Sequence, residues 1–167
     1  MHNEVQQHPT RRIGALVLIR DGMRRVLLEE TDYRKGLQLP GGAAHKGEQV
    51  ADAAARELAE ETGLRRVIAF HLGVDQIPAN PNTGSPEGFN FICDGGFASH
   101  AEVAGLSIPV GASEEIRALV WVHPDELDDH VQPYMAARIR IAVDHADSGL
   151  RQPLLYIGQP ADQRHGA

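Results

Sequence analysis

Residues 42–64 read GAAHKGEQVADAAARELAEETGL and hold more ionisable chemistry at fixed spacing than any other part of this 167-residue chain. Val50, Ala54 and Leu58 recur every four residues among abundant alanines, so the pattern predicts an amphipathic helix over residues 49–62. Gly63 is placed to end it, because glycine adopts the left-handed conformation that closes a helix C-terminus. Gly47 lets the chain enter from a loop. On a helix turning about 100° per residue, Glu57, Glu60 and Glu61 fall on one face. Like charges at that spacing repel by a few tenths of about 1 kcal/mol per pair. Arg56 can pair with Glu60 and with Glu48, but one cation does not neutralise four acids. A hard divalent cation, Mg²⁺ or Mn²⁺, would, since such ions take carboxylate, carbonyl and water oxygens and bridge to phosphates. The competing reading of ExxEE alone is a solvated acidic helix face.

The surroundings decide between them. Gly42, five residues, Glu48, seven residues and then Arg56-Glu57-Leu58-Ala59-Glu60-Glu61-Thr62-Gly63-Leu64 match the nine specified positions of the Nudix box, G-x5-E-x7-R-E-U-x-E-E-x-G-U, with U aliphatic. In these residues the chain resembles the Nudix hydrolases. The resemblance implies an α/β/α sandwich with a mixed central sheet over about residues 12–157. It also implies Mg²⁺-dependent addition of water across a phosphoanhydride of a nucleoside diphosphate linked to another group. The metal ligands implied are Glu57, Glu60, Glu61 and the Gly42 carbonyl, with Glu60, Glu61 and Arg56 as catalytic residues and Arg56 orienting the ligands. Glu115 is the expected fourth carboxylate, as ligand or base. It opens EEIRALVWV, where many members carry an acid several residues before an aromatic, and alternation places Glu115 rather than Glu114 on the functional side, although one bulge would exchange them. Two positions depart from the common pattern: Leu37 stands where many members carry Trp, and His45 where many carry an acid. His45 reads first as a surface residue.

The rest of the chain supports that centre. A hydrophobic content of 42% over this length suits one domain, residues 1–167, with polar, frayed ends at 1–11 and 159–167. The polar start and the absence of an apolar run of about 20 residues point to a cytoplasmic protein with no membrane association. The lone Cys93 forbids an internal disulfide and reads as a buried strand residue. A net charge of −7 argues against a nucleic-acid polymer as partner and leaves a small nucleotide or other diphosphate. Assembly as a homodimer stays open.

Residues 13–20 (IGALVLIR) and 26–30 (VLLEE) read as a hairpin lying side by side, with Asp21-Gly22-Met23 as its turn. Residues 31–36 form a polar connection in which Arg34 or Lys35 can reach a phosphate. Strands are expected at 66–77, 89–97 and 114–122. On the middle one, Phe89, Phe91 and Cys93 share a face opposite Asn90 and Ile92. Residues 79–88 and 99–113 read as loops, the first able to cover substrate. A short helix starts at 123–127, a longer one spans 133–145 with Met135, Ile139 and Val143 at four-residue spacing, and 153–157 adds a last strand.

Three functions remain open. The first is hydrolysis, with a nucleoside triphosphate as default substrate and a nucleotide sugar such as ADP-ribose next. The second is isoprenyl diphosphate isomerisation, for which Cys93 is the available cysteine. The third is a nucleotide-binding sensor that has lost turnover, which the complete box disfavours.

Overall fold

The structure is a computed structural model that describes residues 8–163. The order is β1 (Arg12–Arg20), β2 (Val26–Thr31), β3 (Gly41–Ala43), α1 (Val50–Thr62), β4 (Phe70–Ile77), β5 (Gly88–Phe97) and α2 (His100–Ala104), followed by β6 (Ile116–Val122), α3 (Leu127–His130), α4 (Pro133–Asp147), β7 (Gln152–Pro153), β8 (Leu155–Tyr156) and β9 (Gln159–Pro160). The main sheet runs β6-β2-β1-β5-β4-β7, with β3 added on β1, and β8 pairs β9 separately. β1 and β5 are parallel, whereas β2, β4, β6 and β7 pair antiparallel with their neighbours, so the sheet is mixed.

The near-continuous apolar run of β1 follows from burial on both faces. Ala15, Val17 and Ile19 point into a core shared with Ala54 and Leu58 of α1. Leu16 and Leu18 point the other way, toward Met135, Ala136 and Ile139 of α4. Helix, sheet and helix thus make the expected α/β/α sandwich, and each fully buried Leu or Ile contributes roughly 1.5–3 kcal/mol. The faces of β5 are as expected: Phe91 and Cys93 pack on the α1 side, Ile92 on the α4 side. Helix α1 ends as its sequence predicts, with Gly63 at φ 75° returning its N–H to the Ala59 carbonyl at 3.0 Å.

The β1–β2 hairpin differs from the simple expectation. Asp21 accepts the N–H groups of Met23 (3.0 Å) and Arg25 (2.8 Å), which pins the turn, but the strands pair only at Arg20 and Val26. They then part, and the segment around Gln38–Ala43 is wedged between them. Gln38 exchanges backbone hydrogen bonds with Glu29 on one side, while β3 pairs residues 14–16 of β1 on the other. That wedge carries the paired glycines to the face of the sheet beneath α1.

Other boundaries move for identifiable reasons. β4 starts at Phe70 rather than 66, because the Arg66 side chain is drawn to Glu102 (2.8 and 2.9 Å) and the Gly95 carbonyl (3.1 Å). Residues 99–113 are not all loop: Ser99 and Glu102 form a reciprocal capping box that starts α2. β6 starts at Ile116, leaving Glu114 and Glu115 in a turn. The expected strand at 153–157 is split, since Leu154 turns into the α1-side core and separates β7 from β8. The expected frayed tail is tied down as far as Ala161, whose N–H reaches the Leu154 carbonyl at 2.9 Å. Of the expected frayed ends, residues 1–7 and 164–167 lie outside the described residues.

Candidate active site

The wedge and α1 meet at Gly41 and Gly42, and a side chain at either position would run into a neighbour, backbone at the first and the Glu57 carboxylate at the second. Gly41 has φ 137°, and a Cβ built there would stand 2.2 Å from the Ala15 carbonyl oxygen. Its N–H donates to Glu61 Oε2 at 2.7 Å. A Cβ on Gly42 would come within 2.7 Å of Glu57 Oε1. Two box carboxylates are therefore packed directly against two bare stretches of backbone.

Arg56 joins the acidic residues on the other side. Its Nε and Nη2 donate to the two oxygens of Glu48 at 2.7 and 2.9 Å, a fork geometry, and Nη1 donates to Glu57 at 2.8 Å and Glu60 at 3.3 Å. Nη2 also reaches the Ala43 carbonyl at 3.3 Å. The paired guanidinium holds the Glu48 carboxyl down to about 2, and Glu48 also accepts the His45 N–H at 2.8 Å. His45 itself is exposed.

Glu61 is only 9% exposed and faces a carboxylate absent from the sequence-based candidates, Glu29 of β2, which is fully buried. Gln38 Nε2 donates to Glu29 Oε1 at 2.9 Å, and Glu29 Oε2 has no hydrogen-bond partner. Burial first, then the neighbouring Glu29, pushes the Glu61 carboxyl above the usual carboxylate range. Burial likewise raises Glu29. A period-two signal for Glu29 was present in VLLEE: Leu27 points to α1, so Glu29, two residues on, must point there too. Its carboxylate follows directly on an aliphatic run, Val26-Leu27-Leu28.

The three helix glutamates leave α1 on one face but are held differently. Glu57 is tied to Arg56, Glu61 is turned inward to Gly41, and the side chain of Glu60 is 59% exposed. Among the described residues no three His, Cys, Asp or Glu side chains converge into a ready cage. The donor set nevertheless suits a hard divalent cation. It is all oxygen, it includes an unpartnered buried carboxylate oxygen, and it forces two acids together with no ion pair to either among the described residues.

Glu115 stands apart from this group. It is exposed in the turn before β6, its backbone carbonyl accepts the Asp32 N–H at 3.2 Å, and no described interaction joins its carboxylate to the box. The register of β6 on β2 shifts by one residue there, since Glu30 pairs with Ala118 and Thr31 with Ile116. Arg117, the next residue but one, is paired with Asp32. Phe91 fills the α1-side core and meets His71 edge-on with centroids 6.0 Å apart. Cys93 is buried, which pushes its thiol up to about 12. On the α4 side, a cleft of about 210 Å³ opens beside Gly41 and Gly42, bordered by Arg12, Arg34, Asn90 and Arg138. Of these, sequence reasoning singled out only Arg34 as a phosphate contact.

Comparisons with known proteins agree with this geometry. A model described as NUDIX domain matches residues 10–144. A relative from Bacillus subtilis (strain 168), named "Putative 8-oxo-dGTP diphosphatase", is 29% identical over 150 residues, covering 82% of this chain and 89% of that protein. The crystal structure of a MutT protein from Methanosarcina mazei Go1 superposes with a TM-score of 0.65 at 20% identity, covering 87% of this chain and 99% of the other. The NUDIX domain of Shewanella oneidensis NrtR, solved with ADP ribose, superposes with a TM-score of 0.63 at 12% identity, covering 86% and 90%.

Proposed function

This chain belongs to the Nudix hydrolase family and is a pyrophosphohydrolase, and from that premise we propose that it cleaves a phosphoanhydride in a nucleoside diphosphate linked to a further group, using Mg²⁺ and water attack at phosphorus. The observation that carries this reading is the packing of Glu57 and Glu61 against Gly42 and Gly41, with the unpartnered Glu29 oxygen facing Glu61. Glu57, Glu60, Glu61 and the Gly42 carbonyl would hold the metal, with Glu115 as a further ligand or base. When bound, the divalent cation supplies charge to a phosphoryl oxygen and lowers the pKa of a water. The remaining work belongs to the chain. The Gly41 N–H fixes one Glu61 oxygen, Arg56 fixes Glu57 and Glu48, and a box glutamate or Glu115 accepts the proton from water.

The name of the Bacillus relative supports a nucleoside triphosphate as default substrate, and the ADP-ribose bound to the NrtR domain supports a nucleotide sugar as the alternative. Isomerisation through Cys93 is disfavoured, because a buried thiol raised to about 12 carries almost no thiolate near neutrality. Incubation with Mg²⁺ and a panel of nucleoside triphosphates, nucleotide sugars, dinucleoside phosphates and prenyl diphosphates tests the reading. Release of phosphate or nucleoside monophosphate supports it, whereas double-bond migration or binding without turnover refutes it. In ¹⁸O water the label is expected in a phosphate product; label in the leaving sugar or alcohol would place cleavage at carbon.

Two variants test the roles. Arg56→Lys loses the fork to Glu48 and its reach to Glu57, so the Mg²⁺ concentration for half-maximal rate should rise several-fold, more than the substrate KM does. Equal rises in both would make Arg56 a substrate ligand. Glu115→Gln and Glu114→Gln, both in the same exposed turn, should differ in kcat, the first by about tenfold and the second by less than about twofold. Equally small effects would confine the base to the box.

A further inference from the structure

The cleft beside Gly41 and Gly42 carries positive charge that the reaction above does not use. Arg12 at the start of β1, Arg34 in the loop after β2 and Arg138 on α4 border it together with Asn90 of β5. The same four residues line an adjoining cavity of about 440 Å³ that extends toward Ile77 and Tyr134. In a chain of net charge −7, three guanidinium groups meet here around one lining carboxylate, Asp75.

That carboxylate is already engaged. Arg138, only 7% exposed, pairs with Asp75 at 2.7 Å and lies 5.4 Å from the centre of the Tyr134 ring. Arg12 donates a hydrogen bond from Nη1 to Asn90 Oδ1 at 3.0 Å, which leaves its other donors and the Asn90 amide N–H groups for a ligand. Arg34 has no ion pair or hydrogen bond among the described residues. Burial, and then the charges of Arg34 and Arg138, lower the pKa of Arg12 from its ordinary value. Guanidinium does not give up its proton in proteins, so an anion is the means of relieving this repulsion.

We propose that this cleft binds a phosphoryl group of the substrate that is not at the bond being cleaved. The proposal rests on the hydrolase reading for its substrate, but its recognition chemistry is separate. One arginine fork satisfies a planar carboxylate, whereas three guanidinium groups and an amide converging from β1, the β2–β3 loop, α4 and β5 suit the several oxygens of a phosphoryl group. A cavity of about 440 Å³ also exceeds a lone phosphate and falls in the range of small-ligand pockets, so the group arrives attached to a body that Ile77 and Tyr134 can cover. Two sources share this chemistry: the end of a longer phosphate chain, or a phosphate monoester on a sugar.

Matched substrates separate the sources. With Mg²⁺, kcat/KM is compared for ATP against ADP, and for ADP-ribose 2′-phosphate against ADP-ribose. At least one pair is expected to favour the extra phosphate by about tenfold or more, the first pair identifying a chain phosphate and the second a monoester. Arg34→Gln, a change in an exposed loop, should bring that ratio to within about twofold of one, as expected for a lost charge-assisted contact. Ratios near one in the unmodified protein, or a preference that survives Arg34→Gln, would overturn the proposal. If none of these compounds is turned over, the hydrolase reading fails on them and calorimetry in EDTA decides the cleft separately. Ribose 5-phosphate binding at least about tenfold tighter than ribose, with that margin lost in Arg34→Gln, upholds the phosphoryl site, and equal binding of the two sugars refutes it.

Discussion

Replacing Glu61 by Gln is expected to lower kcat by at least about tenfold while making the metal-free protein more stable at neutral and alkaline pH. The two effects have one origin. Glu61 and Glu29 are buried against each other, and only one oxygen of each has a hydrogen-bond donor, Gly41 N–H for the first and Gln38 Nε2 for the second. A carboxylate pair of this kind supplies anionic oxygen to a cation, so its loss falls on the chemistry. Without metal the same pair is a liability. In the unfolded chain both groups release protons near the ordinary carboxylate pKa, about 4.3. Folded, burial and mutual repulsion hold both pKa values higher, so the folded state binds more protons above that pH. Stability is therefore complete below the unfolded value and declines as pH rises through the raised ones. Gln at 61 can still accept the Gly41 N–H and can donate to the orphan Glu29 oxygen. Thermal unfolding in EDTA between about pH 5 and 9 should show Tm falling in the parent and a flatter profile in Glu61→Gln. Near-parental kcat at limiting Mg²⁺ would remove Glu61 from the ligand set.

The second large effect separates neighbouring glycines. Gly41→Ala must place a Cβ 2.2 Å from a backbone oxygen at φ 137°, a conformation reserved for glycine, and backbone cannot step aside. A loss of more than about 3 kcal/mol, or failure to fold, is expected. Gly42→Ala instead meets the end of a flexible side chain, the Glu57 carboxylate at 2.7 Å. That group can swing away at small cost to the fold, about 1 kcal/mol, but it leaves the position in which Arg56 holds it. Gly42→Ala should therefore fold and lose at least about tenfold in kcat, roughly 1.4 kcal/mol of barrier. Denaturant unfolding and kinetics on the same two preparations check the contrast. Comparable stability losses in both would mean that Glu57 is locked in place.

Local sequence was sufficient wherever one segment sets its own conformation. Spacing within residues 42–64 placed α1, its glycine stop and its acidic face, because side-chain direction along a helix depends only on position in the turn. The apolar run of β1 marked a strand, since hydrophobic content records burial whatever lies opposite. The S-x-x-E at Ser99 was equally local and could have been read as the start of α2. What remained hidden depended on distant segments meeting. Glu29 acquired a partner because the wedge around Gln38–Ala43 parts β1 from β2 and α1 lies across the gap, a pairing 32 residues apart in the chain that no periodicity encodes. Arg12, Arg34 and Arg138 are scattered across three elements, and their shared cleft exists only because β1 and β5 run parallel while α4 packs over them. Charge in one dimension is a count. Its effect on pKa and binding comes from separation and burial, which follow from packing.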